Sequence, residues 1–322
     1  MKTNILITGG AGNIGSSLAK KLSENPNYQI IIVDNLSTGS KEKIPISPHN
    51  NVHFIEADCN QFQEMAKVFN QFQIHYVFHF AAVVGVKRTQ ENPLKVLQDI
   101  KGIEYMLQLS KTAGVKKFFF SSSSEVYGEP VEIPQKEHST PLNSRIPYAV
   151  VKNVGECYCR SYYQEYKLPY TIFRFFNTYG PYQTTDFVIP KFLVAALKNE
   201  PITIYGDGSQ SRTFTYIDDN VDTMVKIFEN NLLTNDIINI GNDEMISILE
   251  LAQRIKNITK SKSEIVFLPP LKEGDMTRRM PDNTKMRQIL NRPLISLEEG
   301  IKRLLNNKKF LKLNSITKIC AE

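Results

Sequence analysis

The chain has little that would tie it to a membrane, a metal or an oxidising compartment. None of its apolar runs approaches the roughly 20 residues that a membrane-spanning helix needs. The opening MKTNILITGG passes straight into an apolar strand, with no basic segment, hydrophobic stretch and small-residue cleavage site. The protein is therefore expected to stay in the cytoplasm, with no membrane partner. Cysteine is sparse: Cys59, Cys157, Cys159 and Cys320. The one close pair, Cys157 and Cys159, falls in a predicted helix, and no cysteine is spaced with histidine as metal ligands are, so reduced thiols and no metal are expected. A strong excess of one charge is also missing. The net charge of +6 is mild and dispersed, and Lys308-Lys309 reads as a solvated face, not a nucleic-acid patch. A mild positive balance suits a small polyanionic substrate.

What is present is an ordinary globular composition, 41% hydrophobic and 22% charged over 322 residues, enough for one large domain or two. Short apolar strands at 4–8, 29–33, 52–57, 76–80, 117–120 and 170–175 alternate with helical patterns at about 61–71, 93–113 and 148–166. Alternation of this kind predicts an α/β fold, a Rossmann-type doubly wound parallel sheet with ligands at the carboxyl ends of its strands. From Asn177 the rhythm breaks into loops rich in Gly, Pro, Tyr and Asp around a helix near 190–198. We therefore expect a dinucleotide-binding domain over 1–175 with a return segment at about 213–242. The rest, 176–322, is expected to form mainly a smaller, interleaved substrate-binding lobe. No repeat, low-complexity tract or clean linker divides the two.

Between the first strand and the first helix lie Gly9, Gly10, Gly12 and Gly15, which fit both Gly-x-Gly-x-x-Gly and a three-residue-spaced variant. Glycines there allow a tight turn, close approach of backbone to a pyrophosphate, and close packing of helix on sheet. Asp34 ends the next strand, where a carboxylate accepts from ribose hydroxyls and repels a 2′-phosphate, favouring NAD over NADP. Asp58, after the third strand, is placed to accept from the adenine amine. Further on, Tyr148 and Lys152 stand four apart on a predicted helix and so share a face. There the ammonium is expected to lower the phenol's pKa and let it take a proton from a substrate hydroxyl.

The motifs TGGAGNIG (8–15), HFAA (79–82), SSSSEVYG (121–128), YAVVK (148–152), RFFNTYGP (174–181) and GDGSQSRTFTYIDD (206–219) resemble the extended short-chain dehydrogenase/reductase family. The resemblance is to its nucleotide-sugar epimerases, dehydratases and decarboxylases, and it covers nearly the whole chain. It implies Ser123 as the hydroxyl on the sugar's C4 oxygen, Tyr148 as base, and Lys152 on the nicotinamide ribose. It extends the NAD contacts to Asn13, Ile14, Asn35, Ser37, Thr38, Gly39, Cys59, Phe80, Ala81, Ala82 and Val83. Ser123, Ser124, Asn177, Arg212 and Arg279 are implied for the nucleotide sugar, the arginines by guanidinium–phosphate pairing. In one departure, Asp99, three residues before Gly102, stands where the family usually has asparagine. It is expected either to be protonated or to rearrange a water near Lys152.

Enzymes of this group all form a 4-keto sugar by hydride transfer from C4 to NAD, and neighbouring side chains decide the fate of that intermediate. The favoured expectation is 4-epimerisation of a UDP-sugar, which needs no further acid or base. The alternative is UDP-glucuronate-type decarboxylation, for which Glu125 would be catalytic with Arg279 beside it. A 4,6-dehydratase typically has an Asp-Glu pair where this chain has Ser124-Glu125. A reductase of a non-nucleotide ketone would keep Ser123, Tyr148 and Lys152 without needing Asn177, Arg212 and Arg279. A noncatalytic dinucleotide-binding protein would need neither Tyr148 nor Lys152. The family commonly dimerises through the helices that here carry Tyr105, Tyr158, Tyr162 and Tyr163, so a homodimer is expected.

Overall fold

The structure is a computed structural model describing residues 2–270 and 278–316; Cys320 lies outside them. The first half runs β1 (Thr3–Thr8), α1 (Asn13–Ser23), β2 (Tyr28–Asp34), β3 (Val52–Glu56), α2 (Phe62–Gln71), β4 (Tyr76–His79), α3 (Val86–Glu91), α4 (Pro93–Thr112), β5 (Lys117–Ser123), α5 (Pro147–Tyr166) and β6 (Tyr170–Phe175). The second half adds β7 (Thr178–Tyr179), α6 (Val188–Lys198), β8 (Ile202–Tyr205), β9 (Ser211–Thr213), β10 (Thr215–Tyr216), α7 (Ile217–Glu229), β11 (Asp236–Ile240), β12 (Met245–Ser247), α8 (Ile248–Thr259), β13 (Ile265–Leu268), α9 (Thr284–Leu290), α10 (Leu297–Leu305) and α11 (Lys308–Leu313).

Seven parallel strands form one sheet in the order β11-β6-β5-β4-β1-β2-β3. The winding reverses between β1 and β4, and a crevice opens there at the strands' carboxyl ends. β11 pairs with β6 in register Ile238 to Phe173, so the chain returns to the sheet after leaving it at Phe175. Three two-stranded sheets, β10-β7, β12-β9 and β13-β8, form apart from it.

The strand KFFFSSS shows how the sequence builds both faces of the sheet. Side chains alternate along a strand, so Phe119 joins the layer under α7, while Phe118 and Phe120 face α4 and α5. Phe119 stacks on Phe78 at 4.2 Å and on Phe173 at 5.8 Å, and Phe228 of α7 meets the first two rings edge-on. Pro147 starts α5 at its first helical position, after extended Ile146, and Lys167 ends the helix in a left-handed conformation. A side chain at Gly155 would collide with the Phe120 ring, so α5 can lie close against β5 only with glycine there.

The buried stripe of α5 contains Ala149, Val151 and Cys159, but also Lys152 and Glu156. Glu156 receives Nε of Arg174 at 2.8 Å and Nη2 at 2.6 Å, and Ser122 Oγ donates to it at 2.6 Å. Arg174 Nη1 donates to Tyr127 Oη and to the Glu137 carbonyl, both at 2.9 Å, and Tyr127 donates to Asn239 Oδ1 at 2.8 Å. Removing one partner of such a pair leaves a buried charge uncompensated. Glu156→Ala should therefore lower the unfolding free energy by about 3–5 kcal/mol in a urea titration. Glu24→Ala, which breaks only the exposed Lys21–Glu24 pair, should cost about 1 kcal/mol or less.

Candidate active site

The crevice at the carboxyl ends of the strands holds a cleft of about 490 Å³. Its first half grows from the glycine turn. Gly9 has φ +67°, and a Cβ there would come within 2.6 Å of the Ala81 backbone nitrogen, so the turn needs glycine twice over. α1 starts after Gly12 with no side-chain cap, which leaves the N–H groups of its first turn to a ligand. A helix start left in this state suits a phosphate. Asp34 closes β2 and accepts from the N–H groups of Ala11 (2.9 Å) and Leu36 (2.8 Å). Asp58 accepts from Asn35 Nδ2 at 3.2 Å. Gly12, Asn13, Ile14, Gly15, Ser37, Thr38, Cys59 and Phe80 to Val83 line the same cavity. Gly39 stands just behind, where a Cβ would press on Asp34 Oδ1. A glycine cradle, an uncapped helix start and a carboxylate one strand over are the donor set that a dinucleotide requires, and NAD fits it.

The second half is built by the end of β5, the turn at Ser124–Tyr127 and α5. Ser123 ends the strand and its Oγ accepts the Glu125 N–H at 3.2 Å, fixing the turn. Tyr148 lines the cleft. Burial of its phenol, with the charges of Glu125 and Asp99, pushes its pKa up, while a hydrogen bond with Ser123 and the Arg279 charge pull the other way. Lys152 lies behind it, 5.7 Å from the ring centre and 2% exposed. Burial lowers the Lys152 pKa to about 8 against the pull of Asp99. The expected lowering of the phenol by Lys152 is thus not what the ligand-free protein displays. Desolvation, which penalises the phenolate, outweighs the side chains that favour it.

Asp99 is buried on α4 and accepts from Val83 N–H at 2.7 Å and Asn60 Nδ2 at 3.2 Å. Burial raises its pKa, and those two bonds and Lys152 oppose the rise. His79 is 2% exposed, bonded to Thr8 Oγ1 at 2.8 Å, and held neutral by burial, which lowers its pKa to about 3.

From 154 residues away in sequence, Arg279 enters the same cleft. Its Nη1 donates to Glu125 Oε1 at 2.9 Å and to Ser124 Oγ at 3.1 Å. The segment that carries it is hung on Gln135, whose N–H donates to the Met280 carbonyl and whose carbonyl accepts from Asp282 N–H, each at 2.8 Å. Asn177 also lines the cleft, its Nδ2 donating to the Thr213 carbonyl at 3.2 Å. Arg212 is not among the described residues that line it. It stands half-buried on β9, opposite Ile246, with Nη1 donating to the Ser211 carbonyl at 2.8 Å. The lining residues that no motif marked include Lys43 and Arg88. Neither carries a periodic or spacing signal, because both sit on short segments placed by tertiary packing.

A model of the NAD dependent epimerase/dehydratase family matches residues 5–241. The chain is 36% identical to the UDP-N-acetyl-alpha-D-glucosaminuronate decarboxylase of Bacillus cytotoxicus, over 94% of this chain and 96% of that protein. It is also 36% identical to a putative UDP-glucose 4-epimerase of Methanocaldococcus jannaschii, over 94% and 97%. Among solved structures it resembles the UDP-glucose 4-epimerase of Thermotoga maritima with UDP-glucose, at 36% identity and TM-score 0.86, covering 93% of this chain and 96% of that one. With a cleft whose residues fit the dinucleotide, these likenesses make the chain a member of the NAD-dependent epimerase/dehydratase family of nucleotide-sugar enzymes, with NAD as its cofactor.

Proposed function

We propose that the protein decarboxylates a UDP-uronate through a 4-keto intermediate. The observation that carries this reading is the contact of Arg279 with Glu125 and Ser124 in the cleft that Tyr148 lines. Epimerisation at C4 asks only for proton and hydride exchange at one carbon, which Ser123 and Tyr148 can serve. A largely buried arginine–glutamate pair costs desolvation, and that reaction has no use for it. A sugar with a carboxylate on C5 has a use for both members. The 36% identity to a UDP-uronate decarboxylase supports the reading. Equal identity to a named 4-epimerase keeps 4-epimerisation as the second reading. Dehydration is disfavoured by Ser124, since the acid–base partner needed beside Glu125 is absent.

In this mechanism Ser123 holds the C4 oxygen and Tyr148 takes its proton. NAD, held by the glycine turn, Asp34 and Asp58, would supply reversible hydride acceptance at C4. The 4-keto uronate is a β-keto acid: its C5–C6 bond breaks, the electron pair passes to the C4 oxygen as an enolate, and carbon dioxide leaves. Arg279 orients the carboxylate, Glu125 governs the proton delivered to C5, and Tyr148 returns its proton to O4. Asp34, Asp58 and the glycine turn hold the dinucleotide, and Asn177 and Arg279 serve the nucleotide sugar. A homodimer through α4 and α5 belongs to the same proposal, supported by the row Tyr158, Tyr162 and Tyr166 along α5.

Incubated with UDP-glucuronate and with its N-acetylglucosamine counterpart, the enzyme should release carbon dioxide from at least one, and Glu125→Gln should cut that release at least about a hundredfold. Conversion of UDP-glucose to UDP-galactose with no gas from either uronate would make it the epimerase. Tyr148→Phe should abolish turnover in either case while bound NAD, read by absorbance, persists. The pH profile tests Lys152. Its charged form is lost as pH rises through about 8, so kcat/KM should fall there. The charges around it are Asp99 on α4 and the neutral His79 on β4, with Glu125 and Arg279 beyond Tyr148. Asp99→Asn keeps an acceptor for Val83 N–H but removes the negative charge that raises Lys152. The alkaline limb should then move to lower pH; a limb that stays in place would clear Asp99 of this role.

A further inference from the structure

Three lysines are buried among the described residues: Lys43, Lys117 and Lys152. Lys117 shows how this fold ordinarily satisfies a buried ammonium. Its Nζ donates to the Leu232 carbonyl at 2.7 Å and to Thr234 Oγ1 at 3.0 Å. Lys152 makes no such bond among the described residues, and the catalytic set assigns it to the nicotinamide ribose. Lys43 makes none either. Only 4% exposed, it has no hydrogen-bond or ion-pair partner for its ammonium among the described residues, yet it lines the cofactor cleft. Its neighbour Lys41, on the same turn, reaches the surface and pairs with Glu56 at 2.8 Å.

The turn at Lys41–Lys43 is fixed against the glycine loop. Ser40 N–H donates to the Ala11 carbonyl at 3.1 Å, and Lys43 N–H donates back to the Ser40 carbonyl at 3.0 Å. The nearest opposite charges are Asp34 and Asp186, and burial outweighs their pull. Both oxygens of Asp34 already accept backbone N–H groups, from Ala11 and Leu36. A cation taken out of water without a bonded partner is costly. Here it lines the same cavity as the uncapped start of α1, whose first N–H groups suit a phosphate-bearing ligand.

We propose that Lys43 is a cofactor-binding residue whose ammonium pairs with the diphosphate of NAD, making that diphosphate the counterion which the fold itself withholds. The assignment goes beyond the glycine turn, which offers the phosphates only backbone N–H groups and a helix dipole. It also separates two effects usually lost together, since the lysine burdens the empty protein and benefits the loaded one.

The test compares wild type, Lys43→Met and Lys43→Arg, each freed of nucleotide, by NAD titration calorimetry at several salt concentrations and by thermal melting with and without NAD. Lys43→Met should bind NAD about tenfold more weakly, the worth of one charge-assisted hydrogen bond. Its binding should also respond less to salt. Lys43→Arg should stay within about threefold of wild type. Nucleotide-free Lys43→Met should melt no lower than nucleotide-free wild type, because an uncompensated charge has been removed. NAD affinity within about twofold of wild type in Lys43→Met would overturn the proposal. So would a nucleotide-free melting point lowered as far as the NAD-saturated one, which is the mark of a structural lysine. Titration with NADP separates the phosphates: a loss confined to NADP would put Lys43 on the 2′-phosphate and overturn the diphosphate assignment.

Discussion

The ion pair between Glu156 and Arg174 is the constraint on which the catalytic floor rests. Both side chains are sealed from water, Glu156 completely, and such a pair is tolerable only when its geometry is good and its remaining atoms are bonded. Here they are. The pair ties α5 to β6, Ser122 brings in β5, and Tyr127 and Asn239 carry the connection to β11. Tyr148 and Lys152 lie on the helix so anchored, and Ser123 is next to the serine so anchored. The relative placement of Ser123 and Tyr148 is therefore set by a network largely behind the cleft, which meets the cleft lining at Ser122.

The same network reaches the substrate side. Asn239 Nδ2 donates to the Gln135 carbonyl at 2.9 Å, and Gln135 bonds on both sides of Pro281 to the strand segment that holds Arg279. Arg279 is thus hung from the back of the sheet and reaches forward into the cleft to meet Glu125. Two segments widely separated along the chain are brought together by one buried chain of polar contacts, so its disturbance would spread through the site.

How much could be read from the residues alone depends on the range of the interactions involved. The alternation of strands and helices, the glycine turn, Asp34 and the Tyr148–Lys152 spacing all express local rules, a few residues long, and the structure contains each of these elements. Glu156 gave no such signal, since a buried glutamate on an apolar stripe looks like an irregularity until Arg174 is placed opposite. The Glu125–Arg279 contact depends on tertiary folding, and the motif resemblance could suggest Arg279 only as a phosphate ligand or as a companion to Glu125, without the bond between them. Arg212 was legible only through its motif, and the fold places it on β9, paired with β12. Lys43 carries no motif at all, and only its burial beside the glycine turn marks it.

The charges around Tyr148 bear on how proton and hydride stay together. In the ligand-free protein every nearby carboxylate, and burial itself, keeps the proton on the phenol, while Lys152 is itself weakened by burial. The residues present are therefore biased against a standing phenolate. The positive charge of an oxidised nicotinamide bound beside Tyr148 would oppose that bias. Under the proposed reading, Tyr148 would keep the substrate's proton until it is returned to the C4 oxygen. A keto sugar in this cleft accordingly faces a protonated tyrosine at its C4 oxygen, which stabilises an enolate there. A site of that kind would favour loss of carbon dioxide from a neighbouring C5 carboxylate over simple return of the hydride. The bias that resists the first proton transfer is thus the same one that would assist the proposed carbon–carbon cleavage.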